Sequence, residues 1–170
     1  SLFLDENSKP TVKAIVEGAN IFFTSDARKR LQEQGVLIIK DSSANKTGVI
    51  CSSYEIIASL TISEQEFLNI KSTYVKEVID ILRQKADAEA KLLFREYSRA
   101  GGQKTLVDLS MDISREINDV TDVLLAELTK RENSVGPDTF FQELIFRHCP
   151  PVLVEKYRDR ILERLPIAHK

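Results

Sequence analysis

The chain has 170 residues, 42% hydrophobic and 29% charged, which is typical of one globular domain rather than a disordered chain. A formal net charge of −2 favours neither nucleic acid nor a membrane surface as a partner, and the apolar runs are far shorter than the roughly 20 residues of a membrane span. Two distant cysteines, Cys51 and Cys149, give neither a disulfide framework nor a metal-ligand spacing, so we expect a reducing compartment, the cytoplasm or the mitochondrial matrix.

Residues 12–39 predict a strand, a helix and a second strand in succession. "VKAIVEGAN" contains a short apolar run that ends at Gly18, and "VLII" is a second run rich in β-branched residues. Between them, "TSDARKRLQEQG" predicts a helix capped by Thr24 or Ser25 and ended by Gly35. A strand–helix–strand unit indicates a parallel sheet and an α/β fold class. Because two strands cannot complete such a sheet, and the sequence starts with serine, we expect a piece of a longer protein.

From Ser63 onward the pattern predicts helices. "SEQE" has the spacing of a capping box, and apolar residues at three- and four-residue steps predict a long helix to about Tyr97. "RAGGQ" predicts a turn, and a second long helix follows it with a similar apolar stripe. Two long helices indicate a helical hairpin or bundle whose stripes pack into a core. We therefore divide the chain into residues 1–60 and a mostly helical region of residues 61–170.

Two shorter helices complete the predicted order. The first is capped by Asp138 or Thr139, and the last begins at Pro150 and Pro151 and ends near Pro166.

Two polar turns are the candidate sites. The six glycines do not have the G-x-G-x-x-G spacing, no Walker-type loop is present, and no ligand cluster indicates a metal site. "EGAN" (residues 17–20) and "SSANKTG" (residues 42–48) each follow a predicted strand, and open parallel sheets bind ligands at those strand ends. Ordinary turn preferences account for the same glycines and asparagines, so the residues alone leave both interpretations open.

These turns also carry a resemblance to a known family. "IVEGANIFFTSDA" resembles the EGAN-x-P-T-T-x-x-A stretch of the glutamate dehydrogenases, and "ANKTGVICSSYE", about twenty-five residues later, resembles their NAGGV-x-x-S-Y-F-E stretch. The tail "RDRILERLPIAHK" resembles the RLP-x-x-Y region of the large, NAD-specific glutamate dehydrogenases. The similarity is strong over residues 12–56 and weaker over residues 158–168.

The resemblance implies a carboxyl-terminal segment of a large NAD-dependent glutamate dehydrogenase, a superfamily that also includes leucine, phenylalanine and valine dehydrogenases. Residues 1–60 would be the end of a Rossmann-like NAD-binding domain. The whole enzyme would convert L-glutamate into 2-oxoglutarate and ammonium, with its catalytic Lys and Asp and its glycine fingerprint upstream. The segment alone would then hold no catalytic residue and be inactive. Its implied partners are glutamate or 2-oxoglutarate, the rest of the polypeptide and further copies of the chain.

The resemblance also implies roles for individual residues. Gly18, Ala19 and Asn20 would lie against the nicotinamide half of NAD, and Asn45 would lie near the nicotinamide ribose. Val49 would line the pocket for the amino-acid side chain.

Ser52 would help to hold the side-chain carboxylate of glutamate, although a serine at this spacing could equally cap the following helix. The leucine, valine and phenylalanine dehydrogenases resemble this chain in fold but have an apolar group at that position, so serine favours glutamate.

Two departures from the family pattern affect the candidate turns. Phe22 and Phe23 replace the usual Pro-Thr, and Lys46 and Thr47 replace Ala-Gly. Lys46 could contact a pyrophosphate or carboxylate, or it could be an ordinary surface lysine.

A competing hypothesis for the whole chain is a non-catalytic helical module for interaction or oligomerisation.

Overall fold

The computed structural model describes residues 2–130 and 139–165. The predicted cap at Asp138 and the end of the resembling tail lie outside the described residues, whereas the last helix ends at Arg164, close to the predicted end near Pro166. The elements in chain order are β1 (Ala14–Val16), α1 (Ser25–Glu33), β2 (Leu37–Ile39), α2 (Asp41–Ala44), α3 (Lys46–Thr61), α4 (Glu64–Ala100), α5 (Leu106–Thr129), α6 (Thr139–His148) and α7 (Pro151–Arg164).

The predicted strand–helix–strand unit is confirmed. β1 and β2 are parallel, with Ile15 opposite Ile38. The hydroxyl of Thr24 caps α1 by accepting the Ala27 amide, and the chain leaves the helix at Gly35 with a φ of 84°. The fold class is therefore mostly helical α/β with a parallel two-stranded sheet in the described residues. Its completion into a Rossmann-like sheet stays a prediction.

The chain divides into two compact units, and each is described by itself. Unit 1 comprises Ser1–Thr47 and Lys85–Val120, and unit 2 comprises Gly48–Gln84 and Thr121–Lys170. The predicted division at residue 60 stays a prediction.

Unit 1 has two small apolar cores. One lies between α1 and β2, and the other lies where α4 and α5 meet the turn between them. The second core contains Leu93, Leu106 and Leu109, and the predicted turn is confirmed by positive φ angles of 57° and 83° at Gly101 and Gly102. The core members are Phe23, Leu31, Val36 and Ile38 in the first cluster and Leu93, Leu106 and Leu109 in the second.

Unit 2 holds the larger apolar core, built from α3, α4, α6 and α7. The α4 stripe is buried at Ile70, Tyr74 and Val78, so its interpretation as core is confirmed for this part of the helix, whereas Phe94, farther along the stripe, is 43% exposed and is not core. The Tyr74 hydroxyl donates to the backbone carbonyl of Tyr54 at 2.6 Å, which satisfies the buried hydroxyl and gives this carbonyl of α3 a donor from α4.

The predicted capping box at the start of α4 is also confirmed. The Glu66 carboxylate accepts the backbone amide of Ser63 at 2.9 Å, and Arg160 donates to the same carboxylate at 2.6 Å. The Ser63 amide and then the Arg160 guanidinium lower the pKa of Glu66 to about 2.

The apolar stripe of α5 is only partly buried. Leu106 and Leu109 are buried, but Ile117, Val120 and Leu124 are each more than half exposed. The interpretation of the whole stripe as core is therefore wrong for its second half. Periodicity defines an apolar face, but it does not say what covers that face.

Candidate functional site

The two candidate segments of unit 1 both follow a strand of the parallel sheet. The EGAN turn comes after β1, and its first residue extends the ladder because the Glu17 amide donates to the Ile39 carbonyl at 3.0 Å. The second segment comes after β2. Because β1 and β2 are parallel, both segments lie at the same edge of the sheet, as predicted.

The second segment is helical, so its prediction as a polar turn over residues 42–48 is wrong. Asp41–Ala44 form α2, Asn45 is the residue between the helices, and Gly48 lies inside α3. The Asp41 carboxylate accepts the backbone amide of Ser42 at 2.7 Å, which satisfies a free donor at the start of α2. Polar residues that suit a turn also suit such a helix start.

The side chains of Asn20 and Asn45 meet. The Asn45 amide nitrogen donates a hydrogen bond to the Asn20 amide oxygen, although 25 positions separate the two residues. Within residues 2–130 and 139–165, no hydrogen bond uses the Asn20 amide nitrogen or the Asn45 amide oxygen. One donor group and one acceptor therefore remain for a ligand.

Gly18 and Ala19 precede this asparagine pair and are exposed. A Cβ atom at Gly18 would meet no atom within 4 Å, so the space beside the glycine is open. The structure therefore brings the four residues predicted to bind the cofactor into one unit, with two of them in direct contact.

A buried ion pair that sequence reasoning missed supports the EGAN turn. The Arg28 guanidinium donates two hydrogen bonds to the Glu17 carboxylate, at 2.7 and 2.8 Å, and the Glu17 side chain is completely buried. The hydrogen bond to Glu17 raises the pKa of Arg28. The pair joins the start of the turn to α1. A charged residue directly after an apolar strand was the available signal for it.

Asp41 is the second missed residue. Its second carboxylate oxygen accepts the Ile21 backbone amide at 2.8 Å, which joins α2 to the residue just after the EGAN turn. The Ile21 amide is the main cause of a lowered pKa at Asp41. No local pattern could have indicated this contact, because it depends on the adjacency of β1 and β2.

Lys46 is engaged within unit 1. Its ammonium group lies 2.9 Å from the Glu89 carboxylate, and the Ser43 hydroxyl donates to the same carboxylate at 3.1 Å. The Ser43 hydroxyl also lies 2.7 Å from that of Ser110. The lysine that departs from the family pattern thus fastens the start of α3 to α4.

The Phe22–Phe23 departure has a packing explanation. Phe3 lies 5.2 Å from Phe23 and 6.4 Å from Phe22, measured between ring centroids. Phe23 is buried, whereas Phe22 is more than half exposed. Phe22 and Phe23 therefore both make aromatic contacts with Phe3, near the beginning of the sequence.

Val49 and Ser52 belong to unit 2 and lie on α3. Both are exposed, with Val49 at 76%, whereas the opposite side of the helix packs through Tyr54 into the core of unit 2. The Ser52 hydroxyl donates to the Gly48 carbonyl at 3.3 Å. Because Ser52 lies inside α3, its alternative role as the cap of a following helix is wrong.

Residues 2–130 and 139–165 contain neither a candidate metal site nor a candidate membrane span. No group of three or more His, Cys, Asp and Glu side chains there could hold a metal ion. No helix in the same residues combines the length and apolar character that crossing a membrane requires.

The described residues form a parallel strand–helix–strand unit with amide groups and an exposed glycine at its strand ends, which is the edge at which open α/β sheets bind ligands. Residues 4–109 match the model of the family described as Glutamate/Leucine/Phenylalanine/Valine dehydrogenase, and the chain belongs to this family, which confirms the prediction. No solved structure is significantly similar to the chain.

Curated relatives extend the match along the chain. The chain is 33% identical to the NAD-specific glutamate dehydrogenase of Neurospora crassa, over 98% of the chain and 16% of that protein. It is 32% identical to glutamate dehydrogenase 2 of Dictyostelium discoideum, over 89% of the chain and 15% of that protein. It is 30% identical to the NAD-specific glutamate dehydrogenase of Saccharomyces cerevisiae, over 98% and 16%. The chain thus spans about one sixth of these relatives' length.

Proposed function

We propose that this chain is part of an NAD-dependent glutamate dehydrogenase, which oxidatively deaminates L-glutamate to 2-oxoglutarate and ammonium. The observation that carries the proposal is the contact between Asn20 and Asn45 at the strand ends of a parallel sheet. Relatives named NAD-specific glutamate dehydrogenases, which match 98% of the chain, support the choice of reaction and cofactor. In this proposal the two strands complete a Rossmann-like sheet together with strands from elsewhere in the polypeptide.

The asparagine pair fits the nicotinamide half of NAD. A ribose hydroxyl group both donates and accepts hydrogen bonds, and a carboxamide does the same. The Asn20 amide nitrogen and the Asn45 amide oxygen match that requirement, and the open space beside Gly18 admits a ligand close to the backbone. Gly18, Ala19, Asn20 and Asn45 would hold and orient the cofactor, and NAD would supply the hydride acceptor of the reaction.

Val49 and Ser52 would contact the amino acid. Both are exposed on α3, and the Ser52 hydroxyl can donate to a carboxylate in place of its bond to the Gly48 carbonyl. A site that hydrogen-bonds a polar side chain discriminates against substrates that leave its groups unpaired. In this proposal, a serine hydroxyl beside an apolar valine contact therefore suits glutamate better than leucine or phenylalanine.

A comparison of the full-length protein with the isolated chain tests whether the catalytic groups lie elsewhere in the polypeptide. The full-length protein should form NADH only when L-glutamate and NAD are both present, whereas the isolated chain should form none. NADH production by the isolated chain would contradict the proposal that the catalytic groups lie elsewhere.

Substitution of Ser52 tests the substrate role. In the full-length protein, Ser52→Val should raise the KM for glutamate about tenfold or more, which corresponds to the loss of one hydrogen bond to a charged group. Ser59→Val is the matched control, because Ser59 is exposed on the same helix and also donates to a backbone carbonyl. Equal glutamate kinetics in both variants would refute the role of Ser52.

The second candidate function is association through the helical region, with further copies of the chain as the expected partner. Val123, Leu124 and Leu125 on α5 are each more than half exposed, which is the observation that favours it. Sedimentation of the full-length protein tests this function, because a monomer at all concentrations would contradict it.

We expect the protein to be located in the cytoplasm or the mitochondrial matrix.

A further inference from the structure

Ile21 has an unusual backbone conformation at the end of the EGAN turn. Its φ is 53°, in the left-handed region, and its side chain is 85% exposed. A β-branched residue is seldom found there, because its branched Cβ crowds the backbone. Among the described residues, the Ile21 side chain belongs to none of the apolar cores, so contacts to the surrounding backbone must hold this conformation.

One contact meets that requirement. The Asp41 carboxylate accepts the Ile21 amide at 2.8 Å with one oxygen and the Ser42 amide at 2.7 Å with the other. A single side chain therefore fastens the residue after the first candidate segment to the start of the second. Hydrogen bonds to an ionised acceptor are about twice as strong as neutral ones.

The position of Ile21 directly after Asn20 gives this contact a consequence. The φ of Ile21 determines the direction in which the chain leaves Asn20, and Asn20 meets Asn45, which follows α2. The two contacts, Ile21 with Asp41 and Asn20 with Asn45, lie side by side between the same two segments. Release of the first would free the backbone on which the second depends.

We propose that Asp41 is a positioning residue for NAD binding: its carboxylate holds the Ile21 amide and keeps the EGAN turn in the conformation that presents Asn20. Asp41 itself contacts no cofactor in this account. The inference rests on the proposed function for the identity of the ligand. Its structural part, the hold on Ile21, can be tested without enzyme activity.

Two substitutions of Asp41 in the full-length protein test the proposal. Asp41→Asn has one carbonyl oxygen and can keep only one of the two hydrogen bonds, whereas Asp41→Ala keeps neither. We expect the KM for NAD to rise about tenfold in Asp41→Ala, equivalent to about 1.4 kcal/mol, and less in Asp41→Asn, with kcat at saturating NAD within about twofold of wild type. Asp26→Asn is the control, because it removes the same charge from an exposed residue of unit 1.

Amide hydrogen exchange of the full-length protein gives a readout that is independent of activity. In Asp41→Ala, the peptide that contains the Ile21 amide should lose protection, whereas the peptides of α1 and β2 should keep theirs. Loss of protection throughout unit 1 would show a general structural role and overturn the proposal. Unchanged protection at Ile21 would overturn it as well.

Ile21→Gly provides a rescue experiment. Glycine adopts a positive φ readily, so the turn would need less support from Asp41. The rise in KM for NAD caused by Asp41→Ala should therefore be smaller in the Ile21→Gly background, and equal rises would contradict the proposal. If the wild-type protein formed no NADH from glutamate, the proposed function would fail, while hydrogen exchange would still decide the role of Asp41.

Discussion

The buried ion pair beneath the EGAN turn gives a stability prediction with a clear magnitude. Arg28→Met keeps most of the side-chain length but removes both hydrogen bonds to Glu17, at 2.7 and 2.8 Å. The Glu17 side chain is completely buried, so its charge would remain without a partner and without water. Breaking a buried pair in this way costs about 3–5 kcal/mol, and we expect that loss in the free energy of unfolding of unit 1.

The neighbouring residue of α1 offers a matched control. Lys29 pairs with Glu33 at 3.9 Å, and both side chains are more than 60% exposed. Lys29→Met should therefore cost less than about 1 kcal/mol. Adding Glu17→Gln to Arg28→Met should recover part of the loss, because the neutral amide removes the uncompensated charge.

The assay is amide hydrogen exchange of the β1 and α1 peptides at increasing urea concentration. This readout reports the unit that contains the pair, whereas a global signal would combine both units. The reasoning would be refuted if Arg28→Met cost no more than Lys29→Met. It would also be refuted if Glu17→Gln added to the loss instead of reducing it.

Three further predictions concern unit 2. Tyr74→Phe should lower its stability to urea by about 1 kcal/mol, because the Tyr54 carbonyl loses a buried donor. The folded-state pKa of Glu66 is about 2, which is below its ordinary value of 4.5. The stabilising contribution of the ionised Glu66 carboxylate is therefore complete above pH 4.5 and is lost as the pH falls towards 2. The acid unfolding of the Glu66→Gln variant should lack this pH-dependent loss of stability. Burial raises the pKa of both cysteine thiols, that of Cys149 to about 11, and Cys149 is buried whereas Cys51 is half-buried. Iodoacetamide should therefore label Cys51 first, as peptide mass spectrometry can show.

Local signals were sufficient to predict most of the elements. The start of α4 follows from a capping box within four residues, and the turn before α5 follows from Gly101 and Gly102, whose positive φ angles glycine adopts readily. The parallel unit follows from two apolar runs on either side of a capped helix. In each of these cases, the signal that predicts the element lies within a short stretch of sequence.

The contacts within the candidate site could not be predicted in this way. Arg28 with Glu17 and Asp41 with Ile21 join residues that are 11 and 20 positions apart, and they require α1 and the two strands to be packed first. The segment after β2 was misassigned because its serines, asparagine and glycine are favoured in turns, whereas the Asp41 carboxylate stabilises a helix start there.

The substrate preference of the full-length protein tests the central claim most directly. Initial rates of NADH formation should be measured with L-glutamate, leucine, valine and phenylalanine at saturating NAD. The account predicts a kcat/KM for glutamate at least about a hundredfold above that for each apolar amino acid. An apolar side chain would leave the carboxylate-binding hydroxyl of the site without a hydrogen-bond partner. Equal or faster reaction with leucine, or no reaction with glutamate, would contradict it.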